Sequence, residues 1–255
     1  RIVSGFVRGI GAEYYSTAVN PTHSRERFYE AADLILRACT EPGPFSFDGR
    51  FYRYPYVNPW PRPVQQPHPP VWCPSQGSSE TVEWAAKRRF PYLMVFTPIK
   101  RIAQIYGEYR EACERFGYTA SRYQLSVNLP ICVAETDAKA EAIARQHAMW
   151  VYNVGLRMPP QFWQPPGYTS ESCLRRLLTN RGKMPTELTY EDLEEGGYII
   201  CGSPATVRDK LRVFADELQA GIVCSGMNGG THEKTLEMMQ LFAEEVMPHF
   251  REDAD

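Results

Sequence analysis

The sequence predicts an α/β protein built on a parallel sheet, and three observations carry that prediction. Short apolar runs of strand length alternate with longer stretches whose apolar residues recur at helical spacing. The chain is 43% hydrophobic and 23% charged over 255 residues, which supplies enough apolar side chain for a sizeable core. Residue types that bind anions, Arg8 between Gly5 and Gly9 and the hydroxyl-rich run 76–81, fall where strands end and helices begin. Strand–helix repetition implies right-handed crossovers between parallel strands. Both an open doubly wound sheet and a (β/α)8 barrel satisfy this pattern.

Taken in order, residues 2–7 read as a short buried strand. A loop containing Asn20-Pro21 leads to a helix over residues 24–39, with Phe28, Ala31, Ile35 and Ala38 on one face. Residues 41–70 are rich in proline, glycine and aromatics, and residues 45–52 form a small hairpin on this excursion. Strands follow at residues 70–73, 92–96, 125–134 and 221–227, with helices at 79–87, 101–116 and 137–152 between the earlier ones. Residues 158–197, with many prolines and glycines, are too long for an ordinary connection. Ser203-Pro204 opens a helix in cap-then-proline order, with Val207, Leu211, Phe214 and Leu218 as its apolar face. A closing helix covers 233–250. The expected strand count is five.

A formal net charge of −2 argues against nucleic acid or an anionic membrane as the main partner. No run approaches the ~20 apolar residues of a membrane span, and no basic-then-apolar secretory signal is visible. The seven cysteines are odd in number and form no close C-x-x-C pair, which fits a reducing, cytoplasmic setting better than a disulfide framework or a zinc site. The five histidines are too scattered for a metal cage.

Two segments carry the chemistry. A lone arginine in a turn is more often a solvated charge, but the flanking glycines of Arg8 allow close approach of a ligand. In Gln76-Gly77-Ser78-Ser79-Glu80-Thr81, the bland reading is a helix cap. The run nevertheless offers backbone N–H groups and hydroxyls at a helix start without a bulky apolar side chain. It is neither a Walker loop nor a G-x-G-x-x-G fingerprint, so a mononucleotide phosphate fits better than a dinucleotide.

With these segments the chain resembles the bacterial luciferase-like, flavin-dependent monooxygenases. The resemblance rests on Val7-Arg8-Gly9, Thr81-Val82-Glu83-Trp84-Ala85-Ala86, Gly202-Ser203-Pro204, Gly221-Ile222, Gly226 and Val246-Met247-Pro248. It implies a (β/α)8 TIM barrel with this chain covering roughly strands 4 to 8. The first three βα units, and with them the catalytic residues, are expected to lie outside the chain. It implies reduced FMN as cofactor, with a deazaflavin as the alternative. Arg8 would bind the phosphate, Gly77, Ser78, Ser79 and Thr81 would add donors, and Phe96 would lie near cofactor or substrate. The family's cysteine beside the arginine is replaced by Val7. Residues 158–197 would form a lid in which Phe162, Trp163 and Tyr168 cover an apolar substrate, with few contacts to the phosphate end of the cofactor. The implied reaction is oxygenation of a small organic substrate by O2, with reduced FMN supplied by an NAD(P)H:flavin reductase, in a homodimer. A deazaflavin-dependent hydride transfer and a non-catalytic luciferase-like subunit are the competing expectations.

Overall fold

The computed structural model describes residues 1–163, 165, 167–171, 175 and 187–250. It divides into two units, Arg1–Pro74 with Met158–Gly182, and Ser75–Arg157 with Lys183–Asp255.

In the first unit, the expected six-residue opening strand is only two residues long. β1, Ser4–Gly5, pairs in parallel with β4, Val71–Ser75, with Ser4 opposite Val71 and Gly5 opposite Trp72. A helix that the sequence reading took for loop, α1 (Gly11–Ser16), follows the arginine turn. The long helix α2, Ser24–Thr40, forms where expected, but its buried residues are Ser24 and Ala32, while Ile35 of the expected apolar face is exposed. The expected hairpin is present and longer: β2 (Phe45–Asp48) and β3 (Arg53–Val57) pair antiparallel. Its connection is held by the Glu30 carboxylate of α2, which accepts from the backbone N–H groups of Arg50 at 3.1 Å, Phe51 at 2.9 Å and Tyr52 at 2.8 Å. One acidic side chain thereby satisfies three otherwise unpaired turn donors.

The second unit is a parallel sheet with helices packed on it. Its elements are α3 (Ser79–Arg88), β5 (Tyr92–Val95), α4 (Ile99–Arg115), β6 (Leu125–Val133), α5 (Asp137–Ile143), α6 (Tyr190–Glu195), β7 (Ile200–Gly202), α7 (Pro204–Leu218), β8 (Ile222–Gly226) and α8 (His232–Glu245). β6 has three parallel neighbours. Leu125 to Asn128 lie opposite Tyr92 to Val95 of β5, Ser126 to Pro130 opposite β8, and Ile131 to Val133 opposite β7. Leu125, Val127, Leu129, Ile131 and Val133 are all buried, and so are Ser126 and Cys132 on the opposite face, as in a strand covered on both faces. α4 turns Ile102, Ile105, Tyr106 and Tyr109 inward. The Tyr106 hydroxyl donates to the Ser126 carbonyl at 2.5 Å and that of Tyr109 to the Phe90 carbonyl at 2.8 Å, so both polar tips are satisfied inside the core.

Two expectations fail here. β7 was not anticipated, so the described residues contain six parallel strands rather than five. The expected helix over 137–152 keeps α geometry only to Ile143 and continues as two π-helical turns, Ala144–Ala148 and Val151–Gly155. The Met149 N–H reaches back five residues to the Ala144 carbonyl, and the Leu156 N–H to that of Val151. The face of α7 is as expected, with Val207, Leu211, Phe214 and Leu218 all buried. No helix among the described residues is long and apolar enough to cross a membrane.

The burial pattern sets a stability order. Ile131, 1% exposed on the shared strand, should cost about 2–5 kcal/mol when cut to alanine. Val223, 42% exposed on β8, should cost well under about 1.5 kcal/mol. Urea denaturation of the two variants, compared at equal m-value, checks the order.

Candidate functional site

Arg8 leaves β1 in the first unit and is held on several sides. Its Nη1 donates to the Tyr168 carbonyl at 2.7 Å and to Ser24 Oγ at 3.4 Å. Its Cζ lies 4.0 Å from the centroid of the Tyr168 ring, a cation–π stack. The backbone is fixed as well: the Tyr14 hydroxyl donates to the Arg8 carbonyl and the Tyr168 hydroxyl to the Gly9 carbonyl, each at 2.5 Å. Burial raises the Tyr168 hydroxyl above its ordinary pKa, against the pull of Arg8, so it stays protonated and remains a donor. Among the described residues, Nε and Nη2 of Arg8 make no hydrogen bond.

The second candidate segment lies in the second unit and leads into α3. Ser78 is the N-cap; its Oγ accepts from the Thr81 N–H at 3.3 Å and lies 2.6 Å from Thr81 Oγ1. One hydroxyl hydrogen is used between the two oxygens, so one remains to donate outward. Ser79 is the exposed first residue of the helix, where a backbone N–H has no intrahelical acceptor. Gly77 contributes conformation rather than a donor. Its N–H is taken by Ser75 Oγ at 3.1 Å, its φ is +86°, and a Cβ there would run into the Ile105 side chain. The turn can therefore pass close over α4 only with glycine.

Phe96 follows β5, the position where open and closed α/β sheets keep their sites. It holds φ of +50° and is exposed, a strained conformation for an aromatic residue that costs about 1–3 kcal/mol. Its ring meets that of Tyr152 edge-to-face, and Tyr152 meets Tyr198 in the same way. Tyr152 is 1% exposed in the second π-helical turn, and its hydroxyl has no partner among the described residues. Both features mark functional sites more often than plain scaffold.

The expected lid residues pack in the first unit. Phe162 stacks on Tyr15 of α1 with centroids 4.4 Å apart, and Trp163 is buried with its indole N–H unpartnered among the described residues. Gly11 of α1 accommodates the carbonyls of Phe162 and Trp163, where a Cβ would collide. Tyr168 stacks on Arg8. Residues 164, 166, 172–174 and 176–186 of the expected lid lie outside the described residues. Among the described residues no cluster of His, Cys, Asp and Glu could hold a metal, and six cysteines are free thiols. Burial pushes the Cys73 thiol up to about 12, which keeps it unreactive.

A family model described as luciferase-like monooxygenase matches residues 1–219. The chain belongs to the luciferase-like monooxygenase family. Among its relatives, 2,5-diketocamphane 1,2-monooxygenase 1 of Pseudomonas putida is 24% identical over 245 residues, covering 89% of this chain and 65% of that protein. The chain thus spans a little under two thirds of that relative's length. Two solved structures share the fold. One is the oxygenating constituent of 3,6-diketocamphane monooxygenase of Pseudomonas putida, a type II Baeyer–Villiger monooxygenase in complex with FMN. It has a TM-score of 0.68 at 17% identity, covering 96% of this chain and 70% of that one. The other is the coenzyme F420-dependent tetrahydromethanopterin reductase of Methanopyrus kandleri, with a TM-score of 0.65 at 17% identity over 98% of this chain and 74% of that one.

The sequence signals for these segments were uneven. Arg8 and the 76–81 run were visible as glycine-bracketed polar residues. Tyr14 was not singled out, and the one available signal was its place on the short stretch after Arg8-Gly9. Gly77 supplies a test. Gly77→Ala should destabilise the protein by about 1–3 kcal/mol. Adding Ile105→Ala should make the pair less destabilised than the sum of the single changes, by about 0.5–3 kcal/mol. A double-mutant cycle in urea checks both statements.

Proposed function

We propose that this chain forms part of a flavin-dependent monooxygenase that uses reduced FMN and O2 to oxygenate a small organic substrate. The observation that carries the reading is the start of α3, ten residues long, behind a turn that only glycine can make. Helix N-termini with a spare hydroxyl and backbone N–H hold phosphate monoesters. The hydroxyl and N–H donors of this helix start suit a phosphate, and the Nε–Nη2 edge of the Arg8 guanidinium independently suits two phosphate oxygens. Reduced FMN, when bound, supplies the electrons that activate O2.

The residues of the chain do the rest. Within the second unit, Ser78, Ser79 and Thr81 offer N–H and O–H donors to a phosphate, on the backbone course set by Gly77; within the first, Arg8 offers an anion a fixed positive charge. Phe96 offers an exposed aromatic face for cofactor or substrate, against the buried ring of Tyr152. Residues 158–197 serve as a lid, with Phe162 and Trp163 supplying apolar cover that keeps water from the reacting atoms. The fold is read as a (β/α)8 barrel to which this chain contributes later βα units. A homodimer in the cytoplasm, fed with reduced FMN by an NAD(P)H:flavin reductase, completes the reading; the free thiols suit that compartment.

A second reading, hydride transfer with a deazaflavin, is favoured by the likeness to the F420-dependent reductase. Oxygen uptake separates the two. Substrate-dependent O2 consumption with reduced FMN supports the monooxygenase, whereas substrate turnover with reduced deazaflavin and no O2 consumption supports hydride transfer. For the phosphate role, Arg8→Ala should weaken reduced-FMN binding by about 1.5–3 kcal/mol, the range for a hydrogen bond to a charged group. Anaerobic titration measures it, and an affinity within twofold of the parent protein would remove Arg8 from the site.

A further inference from the structure

The bonds around Arg8 join two parts of the chain that are about 160 residues apart in sequence. Tyr168 meets the Arg8–Gly9 turn at three points: its carbonyl takes Nη1 at 2.7 Å, its ring covers the guanidinium face at 4.0 Å, and its hydroxyl reaches the Gly9 carbonyl at 2.5 Å. Tyr14 holds the Arg8 carbonyl from α1, and Ser24, 3% exposed, closes the Nη1 side at the first residue of α2. An arginine side chain has four rotatable bonds, and ordering it weakens binding when a ligand must do so. Here the ordering is done beforehand by the protein. The groups that meet Nη1 leave Nε and Nη2 on one edge, the fork that receives two oxygens of a phosphate.

We infer that Tyr168 is the positioning residue for Arg8, so that the segment expected to act as a lid also sets affinity for the cofactor's phosphate. The inference rests on the phosphate role proposed for Arg8. It assigns Tyr168 no contact with the flavin ring system and no part in the oxygen chemistry. Linkage gives the converse: phosphate at Arg8 holds Tyr168 as firmly as Tyr168 favours phosphate.

The test compares reduced FMN with reduced riboflavin, which has the same ring system and no phosphate, by anaerobic titration of the parent protein and four variants. Tyr168→Ala should weaken FMN binding about tenfold and leave riboflavin binding within twofold. Tyr168→Phe keeps the stack and loses the bond to Gly9, and should weaken FMN binding about threefold. Arg8→Ala should abolish the preference for FMN over riboflavin, and adding Tyr168→Ala to it should cause no further loss, since the two residues act through one interaction. If Tyr168→Ala lowers FMN and riboflavin binding equally, its role is merely structural and the inference is overturned. If Arg8→Ala abolishes the preference but Tyr168→Ala leaves it intact, the inference fails while the phosphate reading stands. If Arg8→Ala leaves the preference intact, both fall.

Discussion

β6 is the constraint on which the second unit depends. Nine extended residues carry three parallel neighbours, two of them along the first half and the third along the last three positions. A strand paired in this way has few solvent-facing positions, and its sequence shows it: of Leu125–Val133 only Asn128 is exposed. The tyrosines of α4 complete the arrangement by binding the carbonyls of Ser126 and Phe90. Once β6 is fixed, the ends of its neighbours are fixed. Phe96 is set beyond β5, and just past Gly202, the last residue of β7, the Asp137 carboxylate accepts the Ser203 N–H at 2.6 Å.

The first unit solves a different problem, with less sheet and more local polar capture. Glu30 gathers three turn donors, and Arg62 donates to the carbonyls of Cys39 at 3.1 Å and Glu41 at 2.5 Å where α2 ends. The tyrosine bonds on the Arg8–Gly9 turn belong to the same pattern. In each case a long side chain from elsewhere satisfies backbone groups that regular structure leaves unpaired, and it also fixes the direction of a loop. A charged residue that is to meet a ligand benefits most, because its geometry is settled before the ligand arrives.

Much of this was legible in the sequence, for identifiable reasons. The face of α7 was readable because its four apolar residues follow one uninterrupted helical period. The start of α3 at Ser79 was readable because a hydroxyl-rich run precedes a stretch of helical period, although composition alone did not say which serine caps it. β7 was passed over because Ile199, Ile200 and Cys201 form a run too short to stand out beside the long segment before it. Ile35 was assigned inward by a period that the neighbouring Ala32 satisfies instead. Tyr14 and Tyr168 could not be paired with Arg8 by any local pattern, since the contact is made across a large sequence separation. An aromatic at either position reads equally well as packing.

The π-helical turns after α5 leave a mark that bears on how relatives should be compared. The buried residues along this stretch are Ala140, Ala144, Met149, Tyr152 and Leu156, with steps of four, five, three and four. The step of five falls where the Met149 N–H reaches the Ala144 carbonyl. A helix residue turns about 100°, so the extra one rotates everything after it by that amount and brings Tyr152 inward while Trp150 stays exposed. Such a turn is geometrically a one-residue insertion absorbed inside a helix. A homologue lacking it would keep the same inward face with one residue fewer between 144 and 149. An alignment that moved the gap into a neighbouring loop would pair Tyr152 with the wrong residue.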